Sequence, residues 1–229
     1  MPLNSQYLES LGCDGVREII YGINASRLAA YREATASDVD ALSLYQLNAR
    51  LAGLLLETVG GLEIVLRNVA AASIIDHFQR EDWYRARVFT QKLDDHRRQN
   101  VRDARKRLQD RGRTVDSGRV VSELTFHFWV ALHEKKYREP FWIPFLRKIW
   151  PDGENVRTLH KDLLKIRDLR NRIAHHEPVF VPKWRTCSDL VLRRLEQLAP
   201  RQHVWLSDRV RPELADVSVK ITSMLSHAE

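Results

Sequence analysis

Arg170, Asn171 and His175 stand close together in the segment LRNRIAHHEP, residues 169–178. On a helix, residues four apart project from one side, so Asn171 and His175 share a face. Arg170 precedes His175 by five residues, about 7.5 Å along a helix axis. A long arginine side chain spans that gap, and one phosphate is within reach of both groups. A guanidinium grips phosphate oxygens in pairs and stays charged. Imidazole takes or gives a proton near neutral pH. The Asn171 amide can orient either partner. Such a set suits metal-free cleavage of RNA, in which the 2′-hydroxyl is the nucleophile. One group removes the 2′ proton, another protonates the leaving 5′ oxygen, and arginine holds the charge that develops between them. One histidine does not easily fill both proton roles. A symmetric dimer that joins two copies of the helix end would supply the second.

The element carrying these residues reads as a helix from about Asn155 to His176. Its buried stripe is Leu159, Leu163, Ile166, Leu169 and Ile173, at helical spacing. Pro178 disfavours helical geometry at Glu177 and stops the helix there. Upstream, Asn24 or Ser26 caps a short helix over SRLAAYREA. A long apolar pattern starts near Asp38, with Leu42, Tyr45, Leu51, Leu55 and Val59 on its stripe. Gly60-Gly61 predicts a kink, a break or a close helix crossing. The pattern resumes over GLEIVLRNVAAASIIDHFQ, where Glu63, Arg67 and Asn68 are embedded among apolar residues.

A basic helix is expected over 91–111, with a thin apolar stripe of Val101, Ala104 and Leu108. Arg98, Arg102 and Arg105 share one side of it and are candidate RNA contacts. GRVVSELTFHFWVALH reads as a single buried helix. REPFWIPFLRKIWPDG, with three prolines, reads as a packed connector holding a short helix. Residues 183–198 form another helix, and a final one is expected near 213–225. The aromatic residues Phe126, Phe128, Trp129, Trp142 and Trp150 are expected in the core.

The chain has 229 residues, 44% of them hydrophobic, and a net charge of +7. That is enough apolar content for a real core, and the reading is a single all-α domain. Two cysteines are too few for a disulfide scaffold or a cysteine-built zinc site. The first ten residues lack the basic and apolar regions of a signal peptide, and no apolar run is long enough to span a membrane. A cytoplasmic protein without a membrane segment is therefore expected. The charge is local: residues 91–113 carry a net +5 and residues 159–176 a net +3, so the remainder carries −1. An anionic partner such as RNA would feel those two segments.

Other chemistries lose ground. His133-Glu134 and His176-Glu177 open an H-E-x-x-H zinc motif, but Tyr137 and Phe180 stand where the second histidine belongs. The chain has no Walker A loop, G-x-G-x-x-G or G-x-S-x-G. No metal or cofactor is expected.

R-N-x-x-x-H at 170–175 resembles the R-x(4–6)-H signature of the HEPN superfamily. SRLAAY at 26–31, LYQLNARL at 44–51, LEIVLRN at 62–68, SELTFHFWVAL at 122–132 and LRNRIAHHEPVF at 169–180 together resemble its abortive-infection (Abi-like) family. The resemblance covers roughly residues 20–185, leaving a helical extension over 186–229. It implies a HEPN-like helical bundle with extra helices, forming a homodimer with the two motifs facing each other in a cleft. It also implies a metal-independent endoribonuclease acting as a toxin or phage-defence effector, with an antitoxin or inhibitor protein as a possible partner. By that resemblance Arg170 binds phosphate, Asn171 positions it and His175 is the acid–base group. His176 is the rival, because the family spacing also admits it. Glu63, Arg67 and Asn68 would line the same cleft or brace Arg170. The bland reading of Glu63 with Arg67 is a helical ion pair. For Arg170 and His175 it is a helix-end network of ordinary polar contacts. The alternative function is a non-catalytic RNA-binding or regulatory module on the same fold. A protein-interaction component of a defence system is a third.

Overall fold

Helical spacing and local caps account for most of the chain's elements in the computed structural model. The structure describes residues 5–180 and 183–226, and no strand occurs among them. The fold class is all-α. The helices in order are α1 (Ser5–Ser10), α2 (Gly12–Ile23), α3 (Ala25–Arg32) and α4 (Asp38–Phe78). Then come α5 (Arg87–Thr90), α6 (Asp95–Asp110), α7 (Ser117–Glu123) and α8 (Phe126–Ala131). The last are α9 (Val156–Ala174), α10 (Lys183–Leu198) and α11 (Pro200–Ser226).

Caps explain several boundaries. The Asn24 carboxamide accepts the Ser26 amide at 2.9 Å and opens α3, so Asn24, not Ser26, is the cap. Ser37 opens α4: its Oγ accepts the Asp40 amide at 3.1 Å and donates to the Asp40 carboxylate at 2.7 Å. The hydroxyl caps one free amide of the first turn, and the carboxylate holds the hydroxyl in place. Asp94 and Asp116 cap α6 and α7 by accepting the amides of Arg97 and Arg119.

Three elements differ from the sequence reading. α4 runs unbroken for 41 residues through Gly60-Gly61. A Cβ placed on Gly60 would meet nothing within 4 Å, so no close crossing selects glycine there. Each glycine costs about 1 kcal/mol of helix propensity. The fully buried Leu51, Leu55, Val59, Leu62 and Leu66 on either side outweigh it. The stretch read as one aromatic helix is two, because Leu124 and Thr125 are extended, with ψ of 131° and 158°. The final helix is 27 residues long and contains Pro212. Leu206, Val210, Leu214, Val217 and Ile221 keep one buried stripe through it, so packing overrides the missing amide.

The connector behaves as expected. It holds a wide π-helical turn at Arg138–Trp142 and a tighter 3-10 turn at Leu146–Ile149, and another 3-10 turn at Lys135–Tyr137 leads into it. The five aromatic residues assigned to the core are buried, as is the α9 stripe from Leu159 to Ile173.

The chain folds as two compact units, each discontinuous in sequence. The first takes residues 1–58, 169–188 and 205–229, and the second takes 59–168 and 189–204. The core of the second is an aromatic cluster of Trp83, Phe89, Trp129, Tyr137 and Phe141. Trp83 and Phe89 meet edge-on at 5.1 Å, and Phe89 stacks on Phe141 at 5.3 Å.

His133 sits within that second unit and is 1% exposed. Its Nδ1 lies 3.1 Å from the Trp129 carbonyl, and its Nε2 accepts the Trp150 indole N–H at 3.2 Å. The neutral tautomer with hydrogen on Nδ1 satisfies both contacts. Burial pushes its pKa down to about 4, from an ordinary 6.5. Protonation therefore favours the unfolded chain. The contribution is intact above about pH 6.5 and is lost as pH falls towards 4, by up to about 3 kcal/mol. Urea unfolding at pH 7 and pH 4.5 is expected to show this loss in the wild type and a smaller one in His133→Gln. Equal pH dependence in the two proteins would refute it.

Candidate functional site

α9 places the predicted residues at its C-terminal end. The helix stops at Ala174, two residues before the expected end. His175 still follows the helical path, since its amide donates to the Asn171 carbonyl at 3.0 Å. His176 does not. Its amide donates to the Ile173 carbonyl at 3.0 Å, and the Glu177 amide donates to the Arg172 carbonyl at 2.9 Å. This pair of bonds is a Schellman closure, and His176 occupies its left-handed position with φ of 55°. Glycine is usual there because a Cβ is strained in that region. Spacing alone leaves the two histidines equivalent, and the backbone separates them. His175 stays on the face of Asn171, and both side chains are exposed; His176 belongs to the turn. Arg170 is half-buried.

The turn is held from three directions, all within the first unit. Arg27 Nη1, on α3, donates to the His176 carbonyl at 3.1 Å. Arg172 Nη2 donates to the Pro178 carbonyl at 2.6 Å, and its Nε pairs with Glu177 at 3.2 Å. Asn48, on α4, uses one oxygen to accept the amides of Val179 at 2.7 Å and Phe180 at 3.1 Å. Tyr31 then packs on Phe180 and Tyr45, each at 5.3 Å between centroids. Three of the five sequence pieces that carry the resemblance therefore meet at one helix end.

Asn48 is a positioning residue that the sequence reading missed. Its signal was a lone amide in an otherwise apolar helical stripe. It is only 5% exposed. Asn48→Ala would leave two buried amides without partners, at about 1–3 kcal/mol each. Chemical denaturation should register a loss of about 2–6 kcal/mol, and Asn48→Asp, which keeps the acceptor, should lose less. A loss below that range would show that water replaces the acceptor.

Glu63, Arg67 and Asn68 lie on α4 in the second unit. Glu63 and Arg67 are half-buried and Asn68 is exposed. The Arg67 Nε is buried without a hydrogen-bond partner.

The basic α6 buries Val101, Ala104 and Leu108 as expected, together with Arg97. Its three candidate RNA contacts differ in setting. Arg98 donates to the carbonyls of Thr90 and Leu93 at 3.2 and 2.8 Å, so its guanidinium is committed to the preceding turn. Arg105 is half-buried with a buried, unpartnered Nε. Arg102 is exposed.

A second polar cluster, within the second unit, went unread because its members are 30 to 40 residues apart in the chain. Arg97 Nη2 lies 3.3 Å from His127 Nε2, and Arg167 Nη1 lies 3.3 Å from His127 Nδ1. A neutral imidazole has one acceptor nitrogen, so only one of these contacts is a hydrogen bond. Burial, then the charges of Arg97 and Arg167, push the His127 pKa down and keep the ring neutral. Glu134 balances the site: one oxygen accepts from Arg97 at 2.9 Å and the other pairs with Lys136 at 2.8 Å.

Among the described residues, no three His, Cys, Asp or Glu side chains are grouped to hold a metal ion, and no helix is long and apolar enough to cross a membrane. Comparison with protein-family models, curated proteins and solved structures gives no match to this chain.

Proposed function

We propose that this chain is a metal-independent endoribonuclease, with Arg170, Asn171 and His175 as its catalytic set. The observation that carries the reading is the helix end itself. An arginine and an amide in the last turns of α9 stand beside an exposed imidazole just past its end, and Arg27, Asn48 and Arg172 hold the turn that follows.

In the proposed reaction the 2′-oxygen forms a bond to phosphorus as its proton leaves to a base. The bond from phosphorus to the 5′-oxygen breaks, and that oxygen takes a proton from an acid. The products are a 2′,3′-cyclic phosphate and a 5′-hydroxyl end. Arg170 holds the phosphate and the charge of the transition state, and Asn171 orients the phosphate or the imidazole. His175 performs one proton transfer, and His175 of a second copy in a homodimer performs the other. The reading places the chain among toxins or phage-defence effectors acting on RNA in the cytoplasm, with an inhibitor protein holding it in check.

The test is incubation of the purified chain with varied RNAs in EDTA, beside His175→Ala. Cleavage that survives EDTA, leaves 5′-hydroxyl ends and disappears in the variant supports the reading. RNA left intact by the folded, inhibitor-free protein sinks it.

A further inference from the structure

The second unit contains a cationic hollow, of about 420 Å³, that the ribonuclease reading does not use. It is lined by His133, Lys135, Arg138, Asn155, Arg157 and His160, with Val156 completing the wall. No acidic side chain is among the lining residues. We propose that this hollow binds a phosphate monoester of mononucleotide size.

The charge argument comes first. Lys135, Arg138 and Arg157 place three fixed positive charges around one concave surface. The nearest carboxylate in sequence on one side, Glu134, has both oxygens engaged by Arg97 and Lys136. Much of its charge is balanced by those two cations, and its remaining pull on His160 is outweighed by burial and Arg167. On the other side Glu139 pairs with Arg138, but that pair is exposed and weakly held by solvent-screened attraction. An incoming dianion would compete well with it, because a guanidinium prefers paired phosphate oxygens.

The backbone adds to the same sign. Asn155, Val156 and Arg157 begin α9, a helix of 19 residues, so its positive end opens on the hollow. The Asn155 side chain already accepts the amides of Arg157 and Thr158 at 2.9 and 3.3 Å. Those amides are capped, and the ligand's main partners are the side chains. His160 is half-buried, and burial lowers its pKa, so its ring serves as a neutral hydrogen-bonding wall. His133 has both nitrogens satisfied within the core and forms the floor.

Size separates the ligand classes. A lone phosphate would fill only part of about 420 Å³. Ligand sites for small molecules start at about 300 Å³, so a phosphate plus a sugar or base fits the range. The polar lining makes recognition of the charged group the main source of affinity.

The test is isothermal titration of the full chain with AMP, adenosine, inorganic phosphate and a short single-stranded RNA without a terminal phosphate. AMP is expected to bind one per chain, phosphate more weakly, and adenosine not measurably. Lys135→Glu with Arg157→Glu should weaken AMP by roughly tenfold or more, with the thermal midpoint unchanged. Lys135→Gln with Arg157→Gln, a gentler change, should weaken it in the same direction if the reversed pair folds poorly. His175→Ala should bind AMP like the wild type, which keeps this site independent of the proposed catalytic one. An AMP Kd above roughly 1 mM would overturn the proposal. So would equal binding by the glutamine variant, or binding of the RNA alone.

Discussion

His175→Ala is expected to reduce RNA cleavage by about 10²–10⁴-fold, the usual contribution of a positioned general acid or base. The fold should be unaffected. The His175 ring is exposed, and the bond its backbone makes to the Asn171 carbonyl does not need the side chain. Alanine also suits the end of a helix. The neighbouring change gives the contrast. His176 lies in the left-handed position of the closing turn, where alanine is also strained and glycine is not. His176→Gly should therefore keep activity and hold or slightly raise the thermal midpoint. If His176, not His175, carried the proton, the two outcomes would be exchanged. Arg170→Ala should also abolish cleavage, and Arg170→Lys should restore little of it, because an ammonium cannot grip two oxygens at once. Steady-state cleavage of a labelled RNA, with thermal melts of the same samples, decides among these outcomes.

Arg194→Leu is expected to destabilise the protein by about 3–5 kcal/mol. Arg194 is 4% exposed. Its Nη1 donates to Glu154 at 2.7 Å and to Gln197 at 2.8 Å, and its Nη2 donates to Asp162 at 2.6 Å. Both carboxylates are largely shielded from water as well. Leucine would leave them without their common buried counter-charge, and Asp162 would keep only the longer, exposed partners Lys165 at 3.4 Å and Arg193 at 3.8 Å. Arg194→Lys would keep the charge but lose the fork that reaches two acids, so an intermediate loss is expected. The three residues join α10, α9 and the loop before α9, all within the second unit. Equilibrium urea unfolding gives the measurement. A loss under about 1 kcal/mol would show that water reaches the carboxylates and that the pair behaves like a surface one.

Much of the fold was legible because helical patterning is local. α3, the start of α4, and α10 fall where capping residues and apolar spacing put them. α9 begins one residue late and ends two residues early, and its buried stripe is intact. The failures share one cause: a local signal lost to packing or to a distant partner. Gly60-Gly61 reads as a kink, a break or a close crossing, but the helix continues through it among buried leucines. The final helix is expected only from about residue 213, but one apolar stripe runs on both sides of Pro212 and the helix starts at Pro200. Thr125 carries no strong sequence signal for a break, yet the chain is extended there.

The site divides the same way. The shared face of Asn171 and His175 was legible because four-residue spacing fixes it, and Arg170 was placed near it by sequence adjacency alone. The groups that hold them were not, because Arg27 and Asn48 are remote in sequence and unremarkable in type. Arg98 shows what spacing cannot reveal. It reads as an open cation on a basic helix, and its guanidinium bonds the carbonyls of Thr90 and Leu93 and the Asp95 carboxylate. The His127 cluster was hidden by distance alone.

The contacts that brace the end of α9 have a consequence in time. Arg27 reaches a carbonyl 149 positions later, and Asn48 reaches amides 131 and 132 positions later. A growing polypeptide cannot close any of these contacts until residue 176 and its successors have been made. At about 5–20 residues per second, that is roughly seven to thirty seconds after Arg27 and Asn48 have themselves been added. Residues 170–175 can coil into a helix within microseconds of emerging, but the turn beyond them waits for the two earliest of its supports to be found. A nascent chain therefore carries the arginine and the histidine before the contacts that brace the turn beyond them have closed.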